Sequence, residues 1–143
     1  MALSVREAAL AALRDVIGAA LPFATVARSS DLPQEIPPEG YVAIMDGDPG
    51  EPEATLSPYT NHYQHEVEVG VVVTGIDLVI RLDSMIKDIG TAIAASPTLG
   101  GAVEMAVPQA PKFDELESDA IGARSAVIRV ILEYSVPGLN PLG

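Results

Sequence analysis

The chain has 143 residues, enough for a single domain, and 48% of them are hydrophobic, which supplies material for a buried core. Twenty acidic residues against eight basic ones give a formal net charge of −12, which disfavours binding to nucleic-acid phosphates. The sequence has no cysteine, which excludes disulfides, zinc–thiolate sites and a thiol nucleophile. No apolar run approaches the roughly 20 residues that cross a bilayer, so we expect synthesis in the cytoplasm and no membrane contact.

The first predicted element is a helix over residues 4–20. Ser4 and Glu7 form a capping box, in which the Ser4 side chain accepts from the backbone and Glu7 reaches back to the Ser4 N–H. An apolar stripe at helical spacing follows, and Pro22 stands just beyond the helix. A short strand is then expected over residues 23–27.

Two loops enclose a short interior strand. Residues 29–40 contain several prolines and predict a connecting loop, and Tyr41–Met45 is an apolar run typical of a buried strand. Residues 46–61 are acidic, begin with turn-forming residues and contain proline. Loops of this length are usually binding segments or disordered, so we expect this one to be mobile and to contact a partner. Strong protection of its amides from hydrogen exchange between Asp48 and Tyr59 would contradict this expectation.

Two long strands bracket a second helix. Residues 63–74 and 126–136 alternate apolar and polar side chains with period two, which predicts strands with one buried and one wet face. Both are long enough to reach a neighbouring subunit. Apolar residues at helical spacing predict a helix over residues 78–95.

The remaining segments complete a single domain. Residues 102–107 predict a short strand with Val103, Met105 and Val107 on one face. An acidic loop over residues 113–122 leads to the last strand, and residues 137–143 form a flexible tail. The expected fold is α+β, a single mixed, mostly antiparallel β-sheet with two helices packed on one face.

Catalytic and metal-binding patterns find little support. His62 and His65 are three apart, which on a strand sends them to opposite faces, so they are not expected to share a metal. Asp46 and Asp48 resemble the start of a calcium loop, but the later ligand positions do not follow that pattern. Glycine-rich phosphate loops and a nucleophile elbow are absent from the sequence. We therefore expect no catalytic residues, no metal and no cofactor.

This order of elements resembles that of the tail terminator proteins of long-tailed bacteriophages, prophages and gene transfer agents, also called tail completion or minor tail proteins. The resemblance covers nearly the whole chain and is one of topology. It rests on the N-terminal helix, the strands at 23–28 and Tyr41–Met45, the acidic loop, the strand at 65–74, the helix to Ala95, the turn at Leu99–Gly101 and the closing strand at 126–134.

The resemblance implies a structural protein with no catalysis, located at the neck end of the virion tail. Such a protein forms a ring, usually a homohexamer, that caps the tail tube, ends elongation and offers its other face to a head-side connector protein. DNA would pass through the channel without specific binding. The expected interface residues are Asp46, Asp48, Glu51, Glu53, Tyr59, His62 and Tyr63. The residues expected at the lumen or a second interface are Glu66, Glu68, Asp114, Glu115, Glu117 and Asp119.

Two alternatives stay open. One is a head–tail connector or adaptor protein of similar α/β build, which differs in the partner that it binds. The other is a small cytosolic enzyme or ligand-binding domain, which requires a concave pocket with convergent polar groups.

Overall fold

The computed structural model describes residues 3–28, 39–113 and 122–143. Within these ranges the chain forms two α-helices and one mixed sheet of seven strands, so the predicted α+β fold is confirmed. The helices are α1 (Val5–Ala20) and α2 (Leu78–Ala95), and a 3₁₀ turn covers Leu99–Gly101. The strands are β1 (Thr25–Ala27), β2 (Tyr41–Met45), β3 (Glu53–Thr55), β4 (Thr60–Thr74), β5 (Met105–Pro108), β6 (Lys112–Phe113) and β7 (Ala123–Pro137). In these ranges neither helix is long and apolar enough to cross a membrane.

The two long strands form the centre of the sheet. Its order is β1-β2-β4-β7-β5, with β3 added to β4 and β6 to β7, and only the β1–β2 pair is parallel among the described strands. Strands β4 and β7 contain 15 residues each and pair along their whole length, from Thr60 opposite Pro137 to Thr74 opposite Ala123. At about 3.3 Å per residue this ladder is roughly 50 Å long. Strand β4 begins three residues before the predicted start, and β7 extends beyond both predicted ends, because each continues to pair with the other.

Both helices pack on one face of the sheet, called the inner face here. Alternate residues of β4 and β7 are buried there, together with four side chains from each helix. They are Ala9, Leu10, Leu13 and Ile17 from α1, and Leu82, Met85, Ile89 and Ile93 from α2. The opposite, outer face of the sheet carries the polar residues of the two long strands.

The predicted cap of α1 is half correct. The Ser4 hydroxyl accepts a hydrogen bond from the Glu7 N–H at 3.1 Å, as expected. The Glu7 carboxylate does not return to Ser4, because it is bound by the guanidinium of Arg28. A charged partner from another element therefore replaces the local contact.

Two short strands differ from their predictions. Strand β1 begins at Thr25, and Phe23 lies in the turn before it, 53% exposed. Strand β5 covers Met105–Pro108 in place of the expected residues 102–107. Met105 and Val107 share one face, and that face is exposed, whereas Ala106 on the other face is buried. The register explains this, since Ala106 lies opposite the buried Leu132 of β7.

Residues 46–61 are not one long loop, and that prediction is wrong in its extent. Met45 lies opposite Glu68, and Glu53 lies opposite His62. Between these two pairs the segment from Met45 to Glu53 advances eight residues, whereas β4 advances six. Strands β2 and β3 thus form one interrupted strand, in which residues 46–52, the "bulge segment", accommodate two extra residues beside β4. Only residues 56–59 form the hairpin tip. The expected mobility of this region stays a prediction.

The structure describes only part of the predicted loops and the whole of the C-terminal tail. Residues 29–38 and 114–121 lie outside the described residues, while Phe113, expected in the last loop, belongs to β6. The tail after Pro137 is hydrogen-bonded to the rest of the fold: the Gly138 N–H donates to the Tyr59 carbonyl at 2.8 Å, and the Val5 N–H donates to the Gly143 carbonyl at 3.3 Å.

Candidate interaction surface

The outer face of the β4–β7 ladder is polar and mostly acidic. Gln64, Glu66 and Glu68 project from β4 and are exposed, and Glu133 and Arg129 lie across from them on β7. The Gln64 Nε2 donates to Glu133 Oε1 at 3.3 Å, and Arg129 Nη1 lies 3.7 Å from Glu66 Oε1. The side chains of that ion pair are 40% and 56% exposed, so it contributes little to stability and leaves the face acidic.

An acidic groove of about 460 Å³ opens on this face beside the bulge segment. Its lining includes the carboxylates of Glu51, Glu53, Glu104 and Glu133, and no lysine or arginine is among its lining residues. The potential in the groove is therefore negative and favours cationic groups.

His62 connects the strands at the end of the groove. Its Nε2 lies 2.9 Å from Thr55 Oγ1, and its Nδ1 lies 2.9 Å from Ser135 Oγ. The Ser135 hydroxyl donates to the Glu104 carboxylate, so its oxygen accepts from His62 Nδ1–H. A catalytic triad requires the opposite order, in which histidine accepts the serine proton and the acid binds histidine. This chain of hydrogen bonds instead holds β3, β4 and β7 and the start of β5 together.

His65 lies on the inner face and is fully buried. Its Nε2 is 2.5 Å from the Asp46 carbonyl oxygen, which only accepts, so Nε2 carries a proton. In the neutral ring Nδ1 then accepts from the Tyr134 hydroxyl, 2.9 Å away. The prediction that His62 and His65 occupy opposite faces is confirmed. Among the described residues, no group of three or more histidine, aspartate or glutamate side chains is arranged to hold a metal ion.

Asp46 belongs to a charged cluster at the end of β2. Arg28 binds Asp46 through Nε and Nη2, at 3.1 and 2.6 Å, and also binds the Glu7 carboxylate of α1. The hydrogen bonds to both carboxylates raise the pKa of Arg28 further above its usual range. The cluster therefore fixes α1 and the end of β1 to the start of the bulge segment.

The predicted interface residues separate into two groups. Asp48, Glu51 and Glu53 are exposed and Tyr59 is 36% exposed, all on or beside the β3–β4 hairpin, and His62 is half-buried at the groove. Asp46 is held by Arg28, and Tyr63 is buried against Tyr134 with ring centroids 5.4 Å apart. Tyr63 is therefore a core residue, because odd-numbered residues of β4 face the helices.

Of the predicted lumen residues, Glu66 and Glu68 lie on the outer face. The others, Asp114, Glu115, Glu117 and Asp119, lie outside the described residues. The structure adds Glu104 and Glu133 to the acidic groove. The period-two alternation of the last strand predicts Glu133 on the wet face. Its position beside Glu104 depends on the register between β5 and β7, which no sequence pattern provides.

A second hollow, of about 520 Å³, lies on the other side of the bulge segment. The side chains of Tyr59, Tyr63, Leu139 and Leu142 line it, with Arg6 from α1. The bulge segment therefore separates an acidic groove from a mixed one, in which tyrosine and leucine side chains lie beside Arg6 and Glu51.

Comparison with known proteins gives no family for the chain. No protein-family model matches it, and no curated protein is significantly similar to it in sequence. A function must therefore be argued from this geometry and from the resemblance in the order of elements.

Proposed function

We propose that this chain is a structural assembly protein of the tail terminator type, whose copies form a closed ring that caps a tail tube and presents a joining surface to a head-side connector. The observation that carries the proposal is the presence of two different apolar patches at opposite ends of the β4–β7 ladder. A ring built from head-to-tail contacts requires two such unlike surfaces on each copy.

The first patch, the "hairpin-end patch", lies where β4 begins and β7 ends. It consists of exposed leucines, Leu56 on the hairpin tip and Leu139 and Leu142 after β7, which are 77%, 81% and 84% exposed. Isolated apolar side chains are common on surfaces, but several that are almost fully exposed at one end of a strand ladder favour a partner.

The second patch, the "helix-end patch", lies where β4 ends and α2 begins. Ile76, Val79 and Ile80 are 80%, 59% and 70% exposed there. Since the ladder is roughly 50 Å long, one copy cannot join its own two patches, and contact between the patches of successive copies generates a ring or a filament.

The acidic outer face supports the same proposal. Glu66, Glu68 and Glu133 would repel the phosphates of DNA moving through a channel, which allows passage without specific binding. The polar outer face also needs no cover from a third layer of structure.

Mass measurement of the purified protein, followed by imaging for rings, tests the proposal. We expect a closed oligomer, and Leu56→Asp or Ile80→Asp should each reduce it to a monomer, because each variant places a charge in one patch. Val107→Asp is the matched control, since Val107 is an exposed apolar residue of β5 away from both patches.

Mixing the two monomeric variants distinguishes a head-to-tail contact from a symmetric one. Each variant retains one intact patch, so the mixture should form a heterodimer with a single good interface and nothing larger. If the mixture stays monomeric, or if the wild-type protein is a monomer at all concentrations, the ring proposal is wrong.

In a phage that encodes this chain, deletion of its gene should give tails of uncontrolled length. Normal-length tails that still join heads would contradict the terminator role. A pull-down with this chain as bait distinguishes the two classes of protein. Capture of the tail tube protein indicates a terminator, and capture of only the portal-side connector indicates an adaptor.

A further inference from the structure

The exposed edge of β3 carries backbone hydrogen-bonding groups that no strand in the described ranges covers. Glu104 N–H donates to the Glu133 carbonyl and Gln109 N–H donates to the Arg129 carbonyl, so odd-numbered residues of β7 direct their backbone groups towards β5. The even-numbered residues of β7 therefore direct their backbone groups towards β4, where they lie opposite odd-numbered residues. The even-numbered residues of β4 then direct their backbone groups to the other side, towards β2 and β3.

This alternation determines the direction of the Ala54 backbone. Glu53 and Thr55 lie opposite the even-numbered His62 and Thr60, so they exchange hydrogen bonds with β4. Ala54, between them, directs its N–H and C=O away from the sheet, and all three residues of β3 are exposed. An edge of this kind is a template for an additional strand.

The two sides of this edge differ in chemistry. Glu53 projects to the outer face at the near side of the acidic groove, and Glu51 precedes it in the bulge segment. Glu133 and Glu104 lie beyond β4, about three strand spacings or more from an added strand, and contribute negative potential at longer range. On the inner side lies the second hollow, in which Tyr59, Leu139 and Leu142 supply the apolar surface. Because alternate side chains of a strand point to opposite faces, an added strand would place one set of side chains near the acids and the other near these three side chains.

We propose that the β3 edge binds an extended segment of a partner protein in which basic and apolar residues alternate. The basic residues meet Glu53 and Glu51 at the near side of the acidic groove, the apolar residues enter the hollow lined by Tyr59 and the tail, and the Ala54 backbone supplies the strand pairing. This inference rests on the proposed function only in that the same hairpin contacts a partner protein, and it requires no ring.

Charge complementarity selects this occupant over a second copy of the chain. The chain carries a net charge of −12, and two β3 edges brought together would place Glu53 and Glu51 of each copy near the same acids of the other. A lysine- or arginine-bearing strand gains from the same carboxylates.

Synthetic peptides test the inference on the Ile80→Asp variant of the chain, which keeps the hairpin end intact and is monomeric under the ring proposal. The probe is an eight-residue peptide that alternates lysine and valine. One control peptide replaces every valine with serine, and a second replaces every lysine with glutamate. We expect the lysine–valine peptide to bind at least about tenfold more tightly than either control and to weaken between about 50 and about 300 mM salt. Binding should shift the NMR signals of Glu53, Ala54 and Gln64.

Two variants connect the binding to the edge. Glu51→Gln with Glu53→Gln should weaken binding of the lysine–valine peptide by about tenfold. Asp15→Asn with Asp83→Asn changes the net charge equally on the exposed sides of the helices and should change the affinity less than about twofold. Ala54→Pro removes an N–H that the fold does not use, so it should weaken binding by roughly threefold to tenfold and leave the thermal midpoint nearly unchanged.

Three results would overturn the inference. The lysine–serine peptide could bind as tightly, which would indicate attraction to the net charge alone. The variant with Asp15→Asn and Asp83→Asn could weaken binding as much as the variant with two glutamate-to-glutamine substitutions. The protein could self-associate through an edge that Ala54→Pro disrupts, which would make a second copy the occupant. All of these variants are therefore made in the Ile80→Asp background, which the ring proposal predicts to be monomeric with the hairpin end intact, so failure of peptide binding leaves the ring proposal intact, and the reverse also holds.

Discussion

Tyr134 supports a fully buried histidine, and its replacement by phenylalanine is expected to cost more than the loss of a hydroxyl. The Tyr134 hydroxyl is the partner of His65 Nδ1, at 2.9 Å, and His65 is 0% exposed. The Tyr134→Phe variant leaves a buried nitrogen without a hydrogen bond, and a buried unsatisfied group costs about 1–3 kcal/mol. We expect a loss of about 2 kcal/mol, equivalent to roughly 6 °C in the thermal midpoint for a chain of this size.

Tyr63→Phe provides the matched control. Tyr63 stacks on Tyr134, but its hydroxyl donates to the carbonyl of Pro141 in the exposed tail, where water can replace it. Its loss should cost only about 0.5–1 kcal/mol. Chemical denaturation of both variants gives the comparison, and equal losses would refute the assigned role of His65. In the His65→Leu background the added cost of Tyr134→Phe should largely disappear, because no nitrogen is left unpaired.

The same tyrosine gives a pH dependence with a definite sign. Burial raises the pKa of Tyr134 to about 12, whereas an unfolded tyrosine titrates near about 10. The folded protein thus holds this proton more tightly, so the stabilisation is fully present below about pH 10 and is lost as the pH rises towards about 12. The Tyr134→Phe variant should lack this loss, and its stability should approach that of the wild type as the pH rises through this range. A constant difference between the two proteins from pH 9 to pH 12 would contradict the burial argument.

The remaining predictions concern the charged cluster and the bulge segment. Arg28→Met should lower the free energy of unfolding by about 1–2 kcal/mol, since it leaves two half-exposed carboxylates without their partner, while Arg14→Met, which removes an exposed pair, should change it by less than about 0.5 kcal/mol. Gly47→Ala should destabilise by about 1–2 kcal/mol more than Gly50→Ala, because both have positive φ but only a Cβ on Gly47 would lie 2.8 Å from the Glu66 carbonyl oxygen. Denaturation midpoints measure both pairs, and similar values within either pair would refute its explanation.

Period and capping were sufficient to predict the helices and the two faces of the long strands. The Ser4 cap, the apolar stripes and strict alternation act over a few residues, so they are present in any single sequence. The opposite faces of His62 and His65 follow from the same period. Contacts that decide the surface chemistry, such as Glu104 beside Ser135, depend on strand register between distant segments and carry no local signal.

The composition of the bulge segment explains why sequence patterns predict a loop where the structure has a hairpin. Pro49, Gly50 and Pro52 are typical of turns, and prolines are unfavourable in a central strand. Within residues 39–113, no backbone hydrogen bond joins residues 46–52 to β4, in agreement with that composition. Yet the chain stays beside β4 and resumes pairing at Glu53, so the prolines interrupt a strand without ending it. The local composition of residues 46–52 explains why strand pairing is interrupted, and the pairing of β3 with β4 explains why it resumes.

The two proposals make one joint prediction, because both use Leu139 and Leu142. These side chains belong to the hairpin-end patch and also line the second hollow, beside β3. A strand bound at Ala54 would cover them, so the lysine–valine peptide should dissociate rings at concentrations above its own dissociation constant, because it must also overcome the ring contact. Centrifugation of preformed rings with increasing peptide measures this, and Ala54→Pro rings should resist the peptide while assembling normally. If the peptide binds without affecting the rings, the ring contact does not use these leucines, and the hairpin-end patch must be reassigned to Leu56 alone.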